Sequence, residues 1–424
     1  MATAAAPMAA DRRPAPVDAV KRPLDALNFF LADVRDGLGP YLAIYLVAVR
    51  GPTHGWNEAT AGLVMTIAGL AGLVATTPAG ALVDKIRAKR ALLVVAALIV
   101  TLASVSLPFV HGFALVTTTQ ALAAAAGAVF APAITAVTLG IVGPKAFTRR
   151  VGRNEAFNHA GNAVAAALAG VLAWKFGPQV VFWLMGGLAL LSIGATLTIP
   201  ADRIDHDVAR GLCDDDDCAP TPPPSAWKVL TGTRALLVFA LGAFAFHLAN
   251  AAMLPSVGQL LAREVGSGQA TSLIAACIVG AQLVMVPVAI LVGRFADRIG
   301  HKPILIAGFA VLALRGALYT LSNDPWWLLG VQLLDGVGAG IFGALLPVVV
   351  AAVTRGSGRF NVAQGAVATV QGLGAALSTT IAGALIVWGG YATAFLALAA
   401  IAGAALVLFW FAMPETAERG VETI

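Results

Sequence analysis

The chain has 424 residues, of which 59% are apolar and 12% charged, with 27 basic against 22 acidic side chains. Its mean hydropathy of +0.85, and a charged fraction roughly half that of soluble domains, exclude a soluble globular protein and place the chain in a lipid bilayer. The basic residues lie in short stretches between apolar segments and form no patch interleaved with aromatics, which argues against nucleic acid as a partner.

Residues 1–23 are rich in Ala, Pro and Arg, lack an apolar run of signal-peptide length, and are expected to be a disordered cytoplasmic tail. Twelve apolar segments follow, near 24–48, 59–83, 91–110, 114–142, 156–176, 180–199, 235–261, 271–293, 303–321, 326–350, 361–388 and 391–413. Each has about the 20 residues that a membrane-crossing helix needs. Their long Ala, Leu, Val and Gly runs suit helices, whose backbone bonds close internally, and lack the alternation of a β-barrel. The expected fold class is an all-α membrane protein of twelve transmembrane helices, with an N-terminal six-helix half, 24–199, and a C-terminal six-helix half, 235–413. Residues 200–234 carry Asp202, Asp205, Asp207, the run Asp214 to Asp217 and Pro222 to Pro224, a composition that reads as a flexible cytoplasmic linker. Residues 414–424 form a second tail.

Of the 27 Lys and Arg, 22 fall in the two tails and the even-numbered connections, whereas three, Arg50, Lys175 and Arg263, fall in the opposite loops. By the positive-inside rule both termini face the cytoplasm, and the expected location is the inner (plasma) membrane.

One short pattern occurs twice, 213 residues apart: Gly80-Ala-Leu-Val-Asp84-Lys85 and Gly293-Arg-Phe-Ala-Asp297-Arg298. Each copy follows the second apolar segment of its half. Six plus six segments, a long central loop and this paired Gly-x-x-x-Asp-Arg/Lys pattern resemble the major facilitator superfamily over essentially the whole chain. The second copy, through Lys302, matches the superfamily pattern closely; the first has Arg87 and Ala88 where the pattern usually has Gly and Arg. The resemblance implies two halves that alternate access to a central site, with Gly80, Asp84, Lys85, Gly293, Asp297 and Arg298 as a cytoplasmic gate. It further implies a small-molecule substrate, a monomer, and no enzymatic chemistry. No nucleotide-binding loop or nucleophile elbow is present, and no cofactor is expected. The drug-exporter signatures are incomplete, since the fourth segment offers Gln120 where an arginine is usual and the fifth lacks proline.

The candidate cavity residues are polar side chains within apolar segments, where charge is costly and usually functional. Asp33, Arg35 and Asp36 share one face of the first segment with Asp25 and Asn28. They read either as a proton or substrate site or as a neutralised structural group. Gln120, Asn158, His159, Asn162, His247, Asn250 and Asp335 continue the set, with Arg315 at a depth that suits pairing to Asp335. Gln364 and Gln371 share a stripe with glycines 365 and 372, fit for lining a path or for packing. Cys213 and Cys218 bracket four aspartates, too weak a pattern to imply a metal. The expected activity is secondary transport of a small organic compound, with protons as coupling ion and efflux as direction. Uptake, facilitated diffusion, or a non-transporting sensor on the same fold remain open alternatives.

Overall fold

The structure, a computed structural model, describes residues 18–36, 39–206, 208–210, 232–353 and 360–417. The N-terminal half contains α1 (Asp18–Asp36), α2 (Gly39–Ile44), α3 (Gly51–His54), α4 (Glu58–Lys85), α5 (Lys89–Val105), α6 (Phe113–Gly127), α7 (Phe130–Phe176) and α8 (Val180–Thr198). The C-terminal half contains α9 (Arg234–Asn250), α10 (Met253–Val265), α11 (Ser267–Ile299), α12 (His301–Leu318), α13 (Pro325–Val353) and α14 (Phe360–Ala412). The described residues include no strand.

Nine helical runs among the described residues are long and apolar enough to cross a membrane. One of them, Ala363–Ala412, holds the last two expected segments. Gly390 divides it, at φ 81° and ψ 176°, where a side chain would be strained. Gly143, at φ 71°, bends α7 in the same way between the fourth and fifth segments. The first expected segment is carried by α1 and α2 with a five-residue π-helical turn at Tyr45–Val49, and the third by α5, 17 residues long.

Each half has its own apolar core. Leu27, Leu31, Phe130, Val137, Met185 and Ala189 fill the N-terminal one. In the C-terminal half Phe239, Phe246, Phe309 and Phe342 pack ring on ring, with Phe246 and Phe342 stacked at 4.5 Å. Outward, the usual rule inverts. Trp388, Trp326 and Trp174 are exposed at 81%, 73% and 73%, the behaviour of side chains that face lipid and its interface.

The beginning of the expected linker packs on the N-terminal half. Asp205 N donates to Gly140 O at 2.9 Å, Asp205 Oδ1 caps Val208 N at 3.1 Å, and Ile204 and Ala209 join the core. Two apolar residues among the acids suffice to hold this stretch against α7.

Candidate functional site

The halves meet along two seams. In the first, α4 runs antiparallel to α14, and small residues let the backbones touch. A Cβ on Gly62 would run into Thr379 O, and one on Gly383 into Glu58 O. Thr66 Oγ1 donates to Ala376 O at 2.5 Å, and Thr380 Oγ1 reaches Thr66 Oγ1 at 2.7 Å. In the second seam Ser272 Oγ donates to Gly170 O at 2.6 Å, joining α11 to α7.

The clasped end of the first seam carries charge. Glu58, 4% exposed, opens α4 behind the capping box of Asn57 and Thr60, where the helix N-terminus favours an anion. Its carboxylate accepts from Tyr391 Oη at 2.8 Å and from Arg263 of the opposite half. The Arg263 guanidinium also lies 5.0 Å from the Tyr391 ring centroid.

Close contact between α4 and α14 extends from Glu58 to Leu73, which faces Gly372. That is sixteen residues, about 24 Å of helix. Beyond it Val74, Thr76, Thr77 and Pro78 are exposed on the way to the first Gly-x-x-x-Asp loop. Apart from the helix's own backbone and chain neighbours, a Cβ built on Gly80 or Gly293 meets nothing within 4 Å among the described residues.

Between the seams and the loops lie two cavities that share Gly39 and Met65. One, about 410 Å³, is lined from both halves, with Asn250, Arg315, Asp335 and Thr379 as its polar wall. The other, about 340 Å³, lies within the N-terminal half and has Arg35, Ser104 and Gln120 in its wall.

The first cavity is organised around Arg315, whose side chain is 2% exposed against 21% for Asp335. The guanidinium pairs with Asp335 Oδ1, donates to Asn250 Oδ1 at 2.7 Å, and touches Met253 Sδ at 3.0 Å. Asp335 Oδ2 accepts from Gln332 Nε2 at 3.1 Å, and Tyr319 Oη donates to Gln332 Oε1. A buried ion pair is tolerable when its remaining hydrogen-bonding positions are filled in this way. The pair therefore consists of a fixed cation and an anion that reaches the cavity.

The sequence candidates distribute unevenly over this frame. Asn250 and Asp335 come together with Arg315, as the depth of Arg315 and Asp335 suggested; Gln120 and Arg35 meet in the N-terminal cavity. Asp33 is buried, and the side chain of Asp36 lies outside the described residues. Asn158 is buried, Asn162 half-buried and His159 exposed, none of them in the wall of either cavity. His247 is half-buried among Phe246 and Phe342, with Nδ1 bonded to Ala243 O at 2.9 Å, a local helix contact. Gln364 and Gln371 are half-buried on α14, outside both walls. Lys85 and Arg298 are exposed; the side chains of Asp84 and Asp297, and the run from Cys213 to Cys218, lie outside the described residues.

Other polar groups were not among the candidates. Asp25 binds Arg150 and Arg153 at 2.7 Å each, tying α1 to α7. The pattern Thr-Arg-x-x-Gly-Arg recurs at residues 148–153 and 354–359; its last position is Arg153 and its first variable one Arg150, so the repeat could have flagged this stretch. Lys89 Nζ donates to Val83 O at 2.6 Å, closing the first loop. In the second loop Glu415 accepts from the backbone of His301 at 2.8 Å and Lys302 at 3.3 Å. Burial alone raises the Glu415 carboxyl, but these amides and those of Thr416 and Ala417 hold it below the ordinary glutamate range.

Two like helical halves, joined at one end around an intramembrane cavity, define a multi-pass membrane transporter. The family model for the Major Facilitator Superfamily matches residues 26–253 and again 239–423, and the chain belongs to that superfamily. It is 56% identical over 402 residues, 95% of both chains, to an uncharacterized MFS-type transporter of Mycobacterium tuberculosis. It is also 29% identical over 126 residues to a multi-drug resistance efflux pump PmrA homolog of Lactococcus lactis, covering 30% of this chain and 31% of that one. Among solved structures, the nucleoside transporter NupG superposes with a TM-score of 0.70 at 16% identity, over 92% of this chain and 98% of that one.

Proposed function

We propose that the chain exports a small organic compound across the inner (plasma) membrane by alternating access, in exchange for protons. The observation that carries this reading is the Arg315–Asp335 pair in the wall of a cavity shared by both halves. Asp335 is the member open to the cavity, so a proton or a cargo group arriving there competes with Arg315 for one carboxylate. That competition is the minimum that exchange of proton for cargo requires. The direction draws its support from the stretch similar to an efflux pump, and the positive-inside pattern supports an orientation in which the clasped end faces away from the cytoplasm. In this reading the described state is open to the cytoplasm, with Gly80, Asp84, Lys85, Gly293, Asp297 and Arg298 forming the parted gate. Of the first-helix candidates Asp33, Arg35 and Asp36, this reading takes Arg35, in the wall of the N-terminal cavity, as a second polar contact for cargo.

The test is proton movement in proteoliposomes. A pH-sensitive dye trapped inside should report substrate-dependent proton flux for the wild type and none for Asp335→Asn, while counterflow of labelled substrate survives. Equal proton flux in both proteins would remove Asp335 from the coupling step. Accumulation of cargo on the side of higher proton concentration in oriented vesicles supports export; accumulation on the other side supports proton-linked uptake.

A further inference from the structure

The 340 Å³ cavity lies between α1–α2, α4, α5, α6 and α8, all of the N-terminal half. Ser104 and Gln120 of its wall are 0% and 6% exposed, and neither Ser104 Oγ nor Gln120 Nε2 has a hydrogen-bond partner among the described residues. One turn away on the same two helices, the buried hydroxyls of Thr101 and Thr117 are equally unpartnered. Hydroxyls on helices ordinarily bond back to a carbonyl one turn earlier. Close by, this happens: Thr118 donates to Ala114 O at 2.8 Å, Thr119 to Val116 O at 2.9 Å, and Ser106 to Ala103 O at 2.8 Å. The backbone of α5 and α6 is thus available for such bonds, yet the groups at the cavity leave it unused.

Buried polar groups in native proteins almost always find partners. A pair of them converging on one cavity points to a partner that comes from outside the chain. The rest of the wall fixes its chemistry. Val34, Leu42, Val100 and Met185 make most of the lining apolar; Arg35, the charged residue of the wall, is already engaged with a partner, and the orphan groups are neutral, one an amide donor and one a hydroxyl. Apolar walls with a few convergent polar groups, at about 300–1,000 Å³, are the usual make-up of a small-molecule site.

We infer that this cavity is a binding subsite for a neutral, largely apolar molecule carrying a hydroxyl or carbonyl edge, with Gln120 Nε2 donating to that edge and Ser104 Oγ bonding beside it. As the place where cargo is held, the subsite rests on the transport reading; as a binding site it stands without it. Equilibrium binding therefore separates the two.

The experiment compares 2-naphthol with naphthalene on the full chain in detergent micelles, by thermal shift and by probe fluorescence. Wild type should prefer 2-naphthol, and Gln120→Met should lose that preference by about tenfold. The free Gln120→Met protein should also melt at or above the wild-type temperature, because an unpartnered donor has been removed from an apolar site. An unchanged preference for 2-naphthol in Gln120→Met, or no binding of either probe to wild type, overturns the inference. If Gln120→Met does not fold, Ser104→Ala, which deletes one oxygen, carries the same comparison. A wild type that binds 2-naphthol with this preference but moves no substrate leaves the subsite standing and sinks only the transport reading.

Discussion

If Glu58 and Arg263 hold the clasped end shut, replacing Glu58 with Gln should open it by a calculable amount. The amide can still accept from Tyr391, so the substitution isolates the charge. A charge-assisted hydrogen bond contributes about 1.5–3 kcal/mol when shielded. Arg263 is 57% exposed while Glu58 is 5% exposed, and solvent screening on the arginine side reduces the figure to about 1 kcal/mol. At 1.4 kcal/mol per tenfold, the ratio of clasped to parted molecules should fall by about fivefold. The readout is the distance between spin labels at Lys175→Cys and Gln269→Cys, exposed positions on opposite halves at that end, in a background without native cysteines. Arg263→Gln should give the same shift, and the double variant no more than either. Unchanged distance distributions in both single variants, or additive effects with coupling under about 0.3 kcal/mol, would refute the latch.

Arg315→Met should destabilise the protein by about 1–3 kcal/mol, less than the loss of a partner from a fully buried pair, because Asp335 loses its counter-charge yet still reaches the cavity; Arg315→Met with Asp335→Leu should recover most of that in a melting assay yet stay inactive in flux. Gly62→Ala and Gly383→Ala each drive a methyl into a backbone oxygen across the seam, so cysteines placed at the clasped end should become more reactive to a membrane-impermeant thiol reagent. Glu415→Gln should lower the melting temperature at neutral pH, by an amount in keeping with the roughly 0.5–1 kcal/mol of an anion at a helix N-terminus. Its carboxyl is held below 4.5 when folded, so that contribution is present above the unfolded value and disappears as pH falls through the folded one; wild type and variant should converge in melting scans taken below pH 4.5. Reporter fusions at both termini should score cytoplasmic; a fusion on the other side would break the proposed orientation.

The two-half helical architecture was legible because membrane helices must satisfy their own backbone, which leaves long apolar runs that sequence displays directly. Arg315 and Asp335 were legible for the same reason, since two charges at matched depth in neighbouring segments have few ways to be tolerated except together. Glu58 was not. After Asn57 it reads as the ordinary acidic start of a solvated helix, and its partners lie 205 and 333 residues away. Nothing local encodes such a contact. The polar face of the first helix misled in a different way: period alone put Asp25 with Asp33 and Arg35, while the fold gives Asp25 to two arginines on α7 and turns Arg35 to the N-terminal cavity.

Of the six tryptophans exposed among the described residues, five lie near one membrane surface and Trp410 lies near the other. Trp174 sits near the end of α7, Trp326 at the start of α13 and Trp388 just before the break at Gly390, all at the end where Glu58 meets Arg263. Indole rings prefer the headgroup layer, so this end carries the denser set of anchors, with Trp410 at the opposite surface. If the proposed alternation pivots on the more heavily anchored end, bilayers of different thickness should bias its two states mainly by what they do to helix tilt at the other.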